Sequence, residues 1–212
     1  MIESVMVFTP IYRLEAETVA AIFDLEWDGG ISYLFQRDNP YRGHERLTGI
    51  RNHLHQYRQG REMFITSGVD ALLVIESDII PPPDTLKRLT FLDCDAAYGC
   101  YVSRHGEPVI NILERYPQPA RNTGEPLVER RAWQNAQRRG VIDCSGGGLG
   151  CVLIKRHVME KIAFRLTSDM VHCDTHFTQD VYQAGYEMKA DCNLHCGHVT
   201  EDGRVLWPNQ LS

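Results

Sequence analysis

The sequence predicts an α/β fold with a mainly parallel sheet flanked by helices. Two observations carry this expectation. Strand-like and helix-like segments alternate through the first hundred residues. The strongest of the strand segments, residues 71–75 (Ala-Leu-Leu-Val-Ile), is apolar at every position, as a strand buried on both faces must be. Composition agrees, because 43% hydrophobic and 24% charged residues are ordinary globular values across 212 residues.

The elements follow in order. Residues 4–8 form an apolar run that stops at Thr9-Pro10, as a buried strand ending at a proline does. Residues 15–25 place Val19, Ile22 and Phe23 at helical spacing. Residues 31–35 read as a second strand, closed by Arg37-Asp38-Asn39-Pro40. Residues 45–68 are helical, with Leu47, Ile50, Leu54 and Tyr57 on one stripe, a break expected at Gly60 and an end at Gly68. After the strand at 71–75 come Glu76-Ser77-Asp78, three prolines (Pro81, Pro82, Pro83) and a short helix carrying Leu86, Leu89 and Leu92. Residues 96–101 make the next strand.

The second half has a different texture. Residues 115–140 hold prolines, polar residues and the arginines Arg121, Arg130, Arg131, Arg138 and Arg139 without a clean period, which suggests an excursion. The glycines 146–148 and 150 lead into a strand at 151–154 and a helix at 156–162. They are no Walker loop, because no Gly-Lys-Ser/Thr follows. A tight turn and flexible backbone near a ligand both suit them. A helix from about 175 to 184 turns Phe177, Val181 and Ala184 to one face and ends at Gly185. Short strands are expected at 187–191 and 194–199.

Several function classes are disfavoured. Net charge is −6, so no basic surplus serves general nucleic-acid binding. No apolar stretch approaches the ~20 residues of a membrane helix. Met1-Ile2-Glu3-Ser4 lacks a positive region followed by an apolar core, so the chain reads as cytoplasmic. Seven cysteines, an odd number without a CxxC pair, read as reduced thiols. The spacing of Cys192, His195, Cys196 and His198 matches no usual structural zinc pattern.

In open α/β sheets ligands bind beyond the carboxyl ends of the strands. Three such ends carry polar groups: Thr9-Pro10-Ile11-Tyr12, Arg37-Asp38 and Glu76-Ser77-Asp78. Two carboxylates at the exit of a buried strand need compensation of their charge. A divalent cation that bridges to phosphate oxygens supplies it, since Mg²⁺ and Mn²⁺ favour such ligands. Helix capping by Asp78 and an ion pair at Glu76 are the plain alternative.

Residues 72–86, with the run Glu76-Ser77-Asp78-Ile79-Ile80-Pro81-Pro82-Pro83, resemble the metal-binding segment of GT-A nucleotide-sugar glycosyltransferases of the family 2 type. Arg51-Asn52, Cys173-Asp174-Thr175-His176-Phe177 and Cys196-Gly197-His198-Val199 resemble further motifs of that family in the same order. The resemblance covers roughly residues 4–200. It implies one GT-A-like, Rossmann-type domain over 1–212, with a nucleotide-sugar half at 1–105 and an acceptor half at 106–212.

The resemblance also implies the site. Asp78 and His198, with Glu76 as a further candidate, would hold Mn²⁺ or Mg²⁺. Thr9, Pro10, Tyr12, Asp38, Arg51, Glu76, Ser77 and Tyr101 would line the donor, which is expected to be UDP-linked. Asp38 would read the base edge, and Arg51 would approach the base or a phosphate. Asp174 would be the general base, with helix capping as its plainer role. Two departures stand out: Glu76 replaces the commoner aspartate, so it could contact sugar or ribose rather than metal, and Cys173 stands where glutamate is usual. The acceptor is not named by the sequence; a glycan, a small metabolite or a modified nucleic-acid base all remain. A nucleotidyltransferase and a non-catalytic nucleotide-sugar binder are the competing readings. The first usually carries a glycine- and basic-rich loop after its first strand, where this chain has Thr9-Pro10-Ile11-Tyr12-Arg13.

Overall fold

A computed structural model describes residues 2–43, 46–103, 109–114, 130–132, 140–166 and 172–210. The chain opens with β1 (Ser4–Pro10), α1 (Ala16–Phe23), β2 (Gly30–Gln36) and α2 (Arg46–Ser67). β3 (Ala71–Ile75), β4 (Ile79–Ile80), α3 (Thr85–Phe91), β5 (Ala96–Cys100), β6 (Val109–Glu114) and β7 (Arg130–Ala132) follow. The rest comprises β8 (Val141–Gly147), β9 (Cys151–Lys155), α4 (Arg156–Lys161), α5 (Cys173–Gln183), β10 (Met188–His195), β11 (Gly197–Val199) and β12 (Val205–Leu206).

The main sheet has the order β2-β1-β3-β9-β5-β10-β8-β6-β7. β2, β1 and β3 are parallel neighbours, as are β5 and β10. β9 runs antiparallel between β3 and β5, so the five strands with crossover connections share one direction. β8, β6 and β7 extend the sheet in antiparallel fashion. A small second sheet, β12-β11-β4, lies at the exit of β3.

Alternation along the buried strands supplies both faces of the sheet with core. On one face Phe8, Tyr57, Phe64, Tyr98, Phe164 and Phe177 pack together beneath α2 and α5. The Phe164 and Phe177 rings stack at 4.4 Å, and Tyr57 lies 4.7 Å from Phe164. On the other face Val7, Ile75, Leu86, Leu89 and Leu153 pack under α1 and α3. Each such side chain contributes roughly 1.5–3 kcal/mol by leaving water.

Four local expectations change. α2 runs through Gly60 without a break. The glycine is there because the helix meets Phe8, whose ring atoms would lie 2.6 Å from an added Cβ. Ala184 caps α5 and is exposed, since only Phe177 and Val181 of the expected stripe reach the core. The last two strands divide at Cys196, not after Asp191: β10 extends to His195 and β11 leaves the main sheet to pair with β4. Phe23 lies on the outer side of α1, 57% exposed and tilted against Tyr33 at 4.9 Å.

Most of the excursion expected at 115–140 lies outside the described residues, including Arg121, Arg138 and Arg139, as does the Leu47 side chain. Among the described residues no helix is long and apolar enough to cross a membrane.

Candidate active site

Register brings three polar strand ends to one edge of the fold. Thr9 pairs with Phe35 across β1 and β2, and Phe8 pairs with Val74 across β1 and β3. Thr9, Asp38 and the Glu76–Asp78 segment therefore leave neighbouring parallel strands at the same end. β4 then pairs Ile79 with His198 of β11, and the Val199 N–H donates to the Asp78 carbonyl at 2.8 Å. A residue 120 positions later in the chain is thus set beside the acidic exit of β3.

Asp78 and His198 face each other, with Oδ2 3.6 Å from Nε2 and side chains 16% and 8% exposed. The His198 Nδ1 lies 2.7 Å from the Val102 carbonyl, which can only accept, so Nδ1 carries the hydrogen. In the neutral ring this turns the Nε2 lone pair towards Asp78. A backbone carbonyl on one imidazole nitrogen is the support that metal-binding histidines commonly have. Arg13 holds the turn that follows β11, donating to the carbonyls of Thr200 and Glu201 at 3.1 and 3.2 Å. The carboxylate–imidazole pair suits a divalent cation, and the imidazole favours Mn²⁺ over Mg²⁺. Among the described residues no group of three or more His, Cys, Asp or Glu side chains could hold a metal ion by itself.

Glu76 turns towards α2. Its Oε1 accepts the Tyr57 hydroxyl at 3.0 Å and lies 3.2 Å from His53 Nε2. The His53 Nδ1 lies 4.0 Å from the Cys173 sulfur at the start of α5. Burial opposes a charge on His53, but its contacts with Cys173 and Glu76 hold its pKa well above the ordinary value. Burial pushes the Cys173 thiol up. Burial, reinforced by Glu76, also raises Tyr57, which keeps its proton as a donor.

Asp174 sits in the first turn of α5, next to Cys173, and its Oδ1 accepts the Thr175 N–H at 2.7 Å. Its charge adds to the upward pull on the Tyr57, Tyr101 and Cys173 pKa values. Asp180, further along the helix, is clamped by two Arg165 contacts of 2.6 Å.

The other expected donor residues differ in exposure and in the partners they hold. The Thr9 hydroxyl is buried with no hydrogen-bond partner among the described residues. Pro10 ends β1, and Tyr12 beyond it is 87% exposed. Asp38 Oδ2 lies 2.9 Å from His55 Nε2. Arg51 is exposed on α2, whereas its neighbour Asn52 is buried and holds the Tyr41 backbone from both sides, accepting at 2.9 Å and donating at 3.1 Å. Ser77 is buried, and its carbonyl accepts the Glu15 N–H. Tyr101 lies behind His198, ring edge to ring at 5.4 Å, and its hydroxyl accepts the Gly150 N–H at 3.2 Å.

That contact accounts for the glycine run. A Cβ on Gly148 would lie 2.2 Å from the Tyr101 hydroxyl, and one on Gly150 2.8 Å from its ring. Gly146 has φ +126°, and a Cβ there would meet Thr178 at 1.9 Å. The run is a close-packed seam behind the site.

Sequence reasoning missed His53 as a site residue and placed Tyr57 only in the core. Their i, i+4 spacing was the available signal, since it puts both on one helix face with the buried Ile50.

No protein-family model and no curated protein matches the sequence. Among solved structures the fold is similar to A197 from STIV, with a TM-score of 0.55 and 15% identity over 96% of this chain and 93% of that one. Weaker likenesses include a glycosyltransferase involved in the glycosylation of the major capsid of PBCV-1, with a TM-score of 0.39 and 12% identity over 74% and 62% of the two chains. Another is the inositol-1-phosphate CTP transferase from T. maritima, with a TM-score of 0.47 and 14% identity over 90% and 85%. At these identities the likeness is one of fold: the chain has a mixed α/β architecture with a large central sheet flanked by helices.

Proposed function

We propose that the protein is a glycosyltransferase that moves a sugar from a nucleotide-sugar donor, UDP-linked, to a hydroxyl acceptor with the help of Mn²⁺ or Mg²⁺. The observation that carries the reading is the Asp78–His198 pair at the exit of the central buried strand, with Glu76 two residues before Asp78 and turned to His53 beside the start of α5. The resemblance of residues 72–86 to the GT-A metal-binding segment supports it.

Asp78 and His198 would hold the cation, with donor phosphates and water completing its coordination. A cation there supplies positive charge for the departing nucleoside diphosphate. Glu76 has one oxygen fixed by Tyr57 and His53, and its carboxylate would accept a hydroxyl of the donor sugar or ribose. Thr9 and Asp38 would line the nucleoside in the N-terminal half, with the acceptor over the C-terminal half. Asp174 Oδ2 would take the acceptor proton as the new bond to the sugar forms.

The test is a panel of UDP-, GDP- and dTDP-linked hexoses incubated with the protein and Mn²⁺, read as release of free sugar, since water replaces the unidentified acceptor. Slow hydrolysis of one donor that stops with chelator is the expected result. No hydrolysis of any donor, with pyrophosphate released from a nucleoside triphosphate instead, would establish the nucleotidyltransferase reading.

A further inference from the structure

We propose that His53 is a positioning residue that sets the donor-side carboxylate and the acceptor-side helix against each other. The proposal rests on the glycosyltransferase reading and assigns a role to a residue outside the acid motif. His53 is on α2, an element that contributes neither Asp78 nor Asp174. Its ring reaches both halves of the site: Nε2 lies 3.2 Å from Glu76 Oε1, and Nδ1 lies 4.0 Å from Cys173 Sγ. Cys173 is fully buried at the first position of α5, so whatever holds its sulfur also holds Asp174, the next residue.

The imidazole itself is held. Tyr57 lies edge-on to it, centroids 4.7 Å apart at 85°, and its hydroxyl donates to the same Glu76 oxygen. The two nitrogens of a rigid ring therefore fix the spacing between Glu76 and the start of α5. A packing residue alone would need neither nitrogen. Bound geometry matters at this scale, since displacing a reacting group by about 1 Å costs on the order of 10²-fold in rate.

Two isosteric substitutions separate the contacts. Gln at position 53 places an amide near the Nε2 position, and Asn places one near Nδ1. Tyr57→Phe removes only the hydroxyl and keeps the ring. The probe is the member of the UDP-, GDP- and dTDP-hexose panel that the unaltered protein hydrolyses fastest with Mn²⁺. His53→Gln keeps the Glu76 contact, so kcat for hydrolysis falls about tenfold with KM for the donor within about twofold. His53→Asn keeps the Cys173 contact, so KM rises about tenfold with kcat within about twofold. Tyr57→Phe follows His53→Asn. If the two His53 variants change kcat and KM alike, or change neither, His53 is a packing residue and the proposal falls while the glycosyltransferase reading stands. If the unaltered protein hydrolyses no member of the panel, that reading falls and takes the proposal with it.

Discussion

His198 Nε2 stands 3.6 Å from Asp78 Oδ2 while Nδ1 of the same ring is bound to the Val102 carbonyl at 2.7 Å. The separation is too long for a good hydrogen bond. Both side chains are mostly buried, and the β4–β11 pairing fixes their backbones. A carboxylate and an imidazole held face to face at a strand exit offer one oxygen and one nitrogen donor of the kinds divalent cations accept.

Asp174→Asn tests the base. Asparagine retains an oxygen for the Thr175 N–H, so α5 keeps this contact. Nucleotide binding is expected to survive, while donor hydrolysis, with water in the acceptor's place, falls by the ~10²–10⁴ typical of a lost general base. Asp180→Asn is the control: it removes the charge and one of the two oxygens that Arg165 clamps, and is expected to lower the melting temperature with little effect on turnover.

Two glycines of α2 should respond to alanine with opposite sign. Helix propensity favours alanine by up to about 1 kcal/mol. At Gly49 nothing lies within 4 Å of an added Cβ, so Gly49→Ala is expected to stabilise. At Gly60 the added atom meets the Phe8 ring at 2.6 Å, and overpacking at roughly 1–3 kcal/mol outweighs the propensity gain. Urea midpoints measured for both variants decide it; a stabilised Gly60→Ala would contradict the packing argument.

Asp70 predicts an acid limb to stability. Its Oδ2 accepts the Ser4 hydroxyl at 2.8 Å and the Ser4 and Glu3 N–H groups at 2.9 and 3.0 Å, and these contacts lower its pKa. The native carboxylate therefore holds its proton less tightly than the unfolded one. Its contribution is complete above the ordinary carboxylate value, near about 4, and is lost as pH falls through the lowered native value. Asp70→Asn should flatten the stability–pH curve in that window and, between pH 6 and 8, lower it by a constant amount without changing its slope.

The sheet's first half was legible because β1, β2 and β3 are short apolar runs ended by proline or polar clusters, and parallel order follows from the helices between them. The position of β9 was not legible. Residues 151–154 read as a strand, but the place of β9 between β3 and β5 is a non-local pairing that no local pattern encodes. The acid pair could be read because charge at the end of a fully apolar strand is conspicuous. His53 offered only its i, i+4 spacing with Tyr57, because its contacts in the site are 23 and 120 positions away. The glycines 146–148 and 150 suited a tight turn or flexible backbone near a ligand, and what requires Gly148 and Gly150 is the distant side chain of Tyr101.

Calorimetry of UDP binding to the unaltered protein and to Asp78→Ala, each with Mn²⁺ and with chelator, tests the central claim most directly. The account predicts that the unaltered protein binds UDP with Mn²⁺, that chelator weakens this binding strongly, and that Asp78→Ala binds weakly whether or not Mn²⁺ is present. Binding that is the same in all four titrations would contradict it.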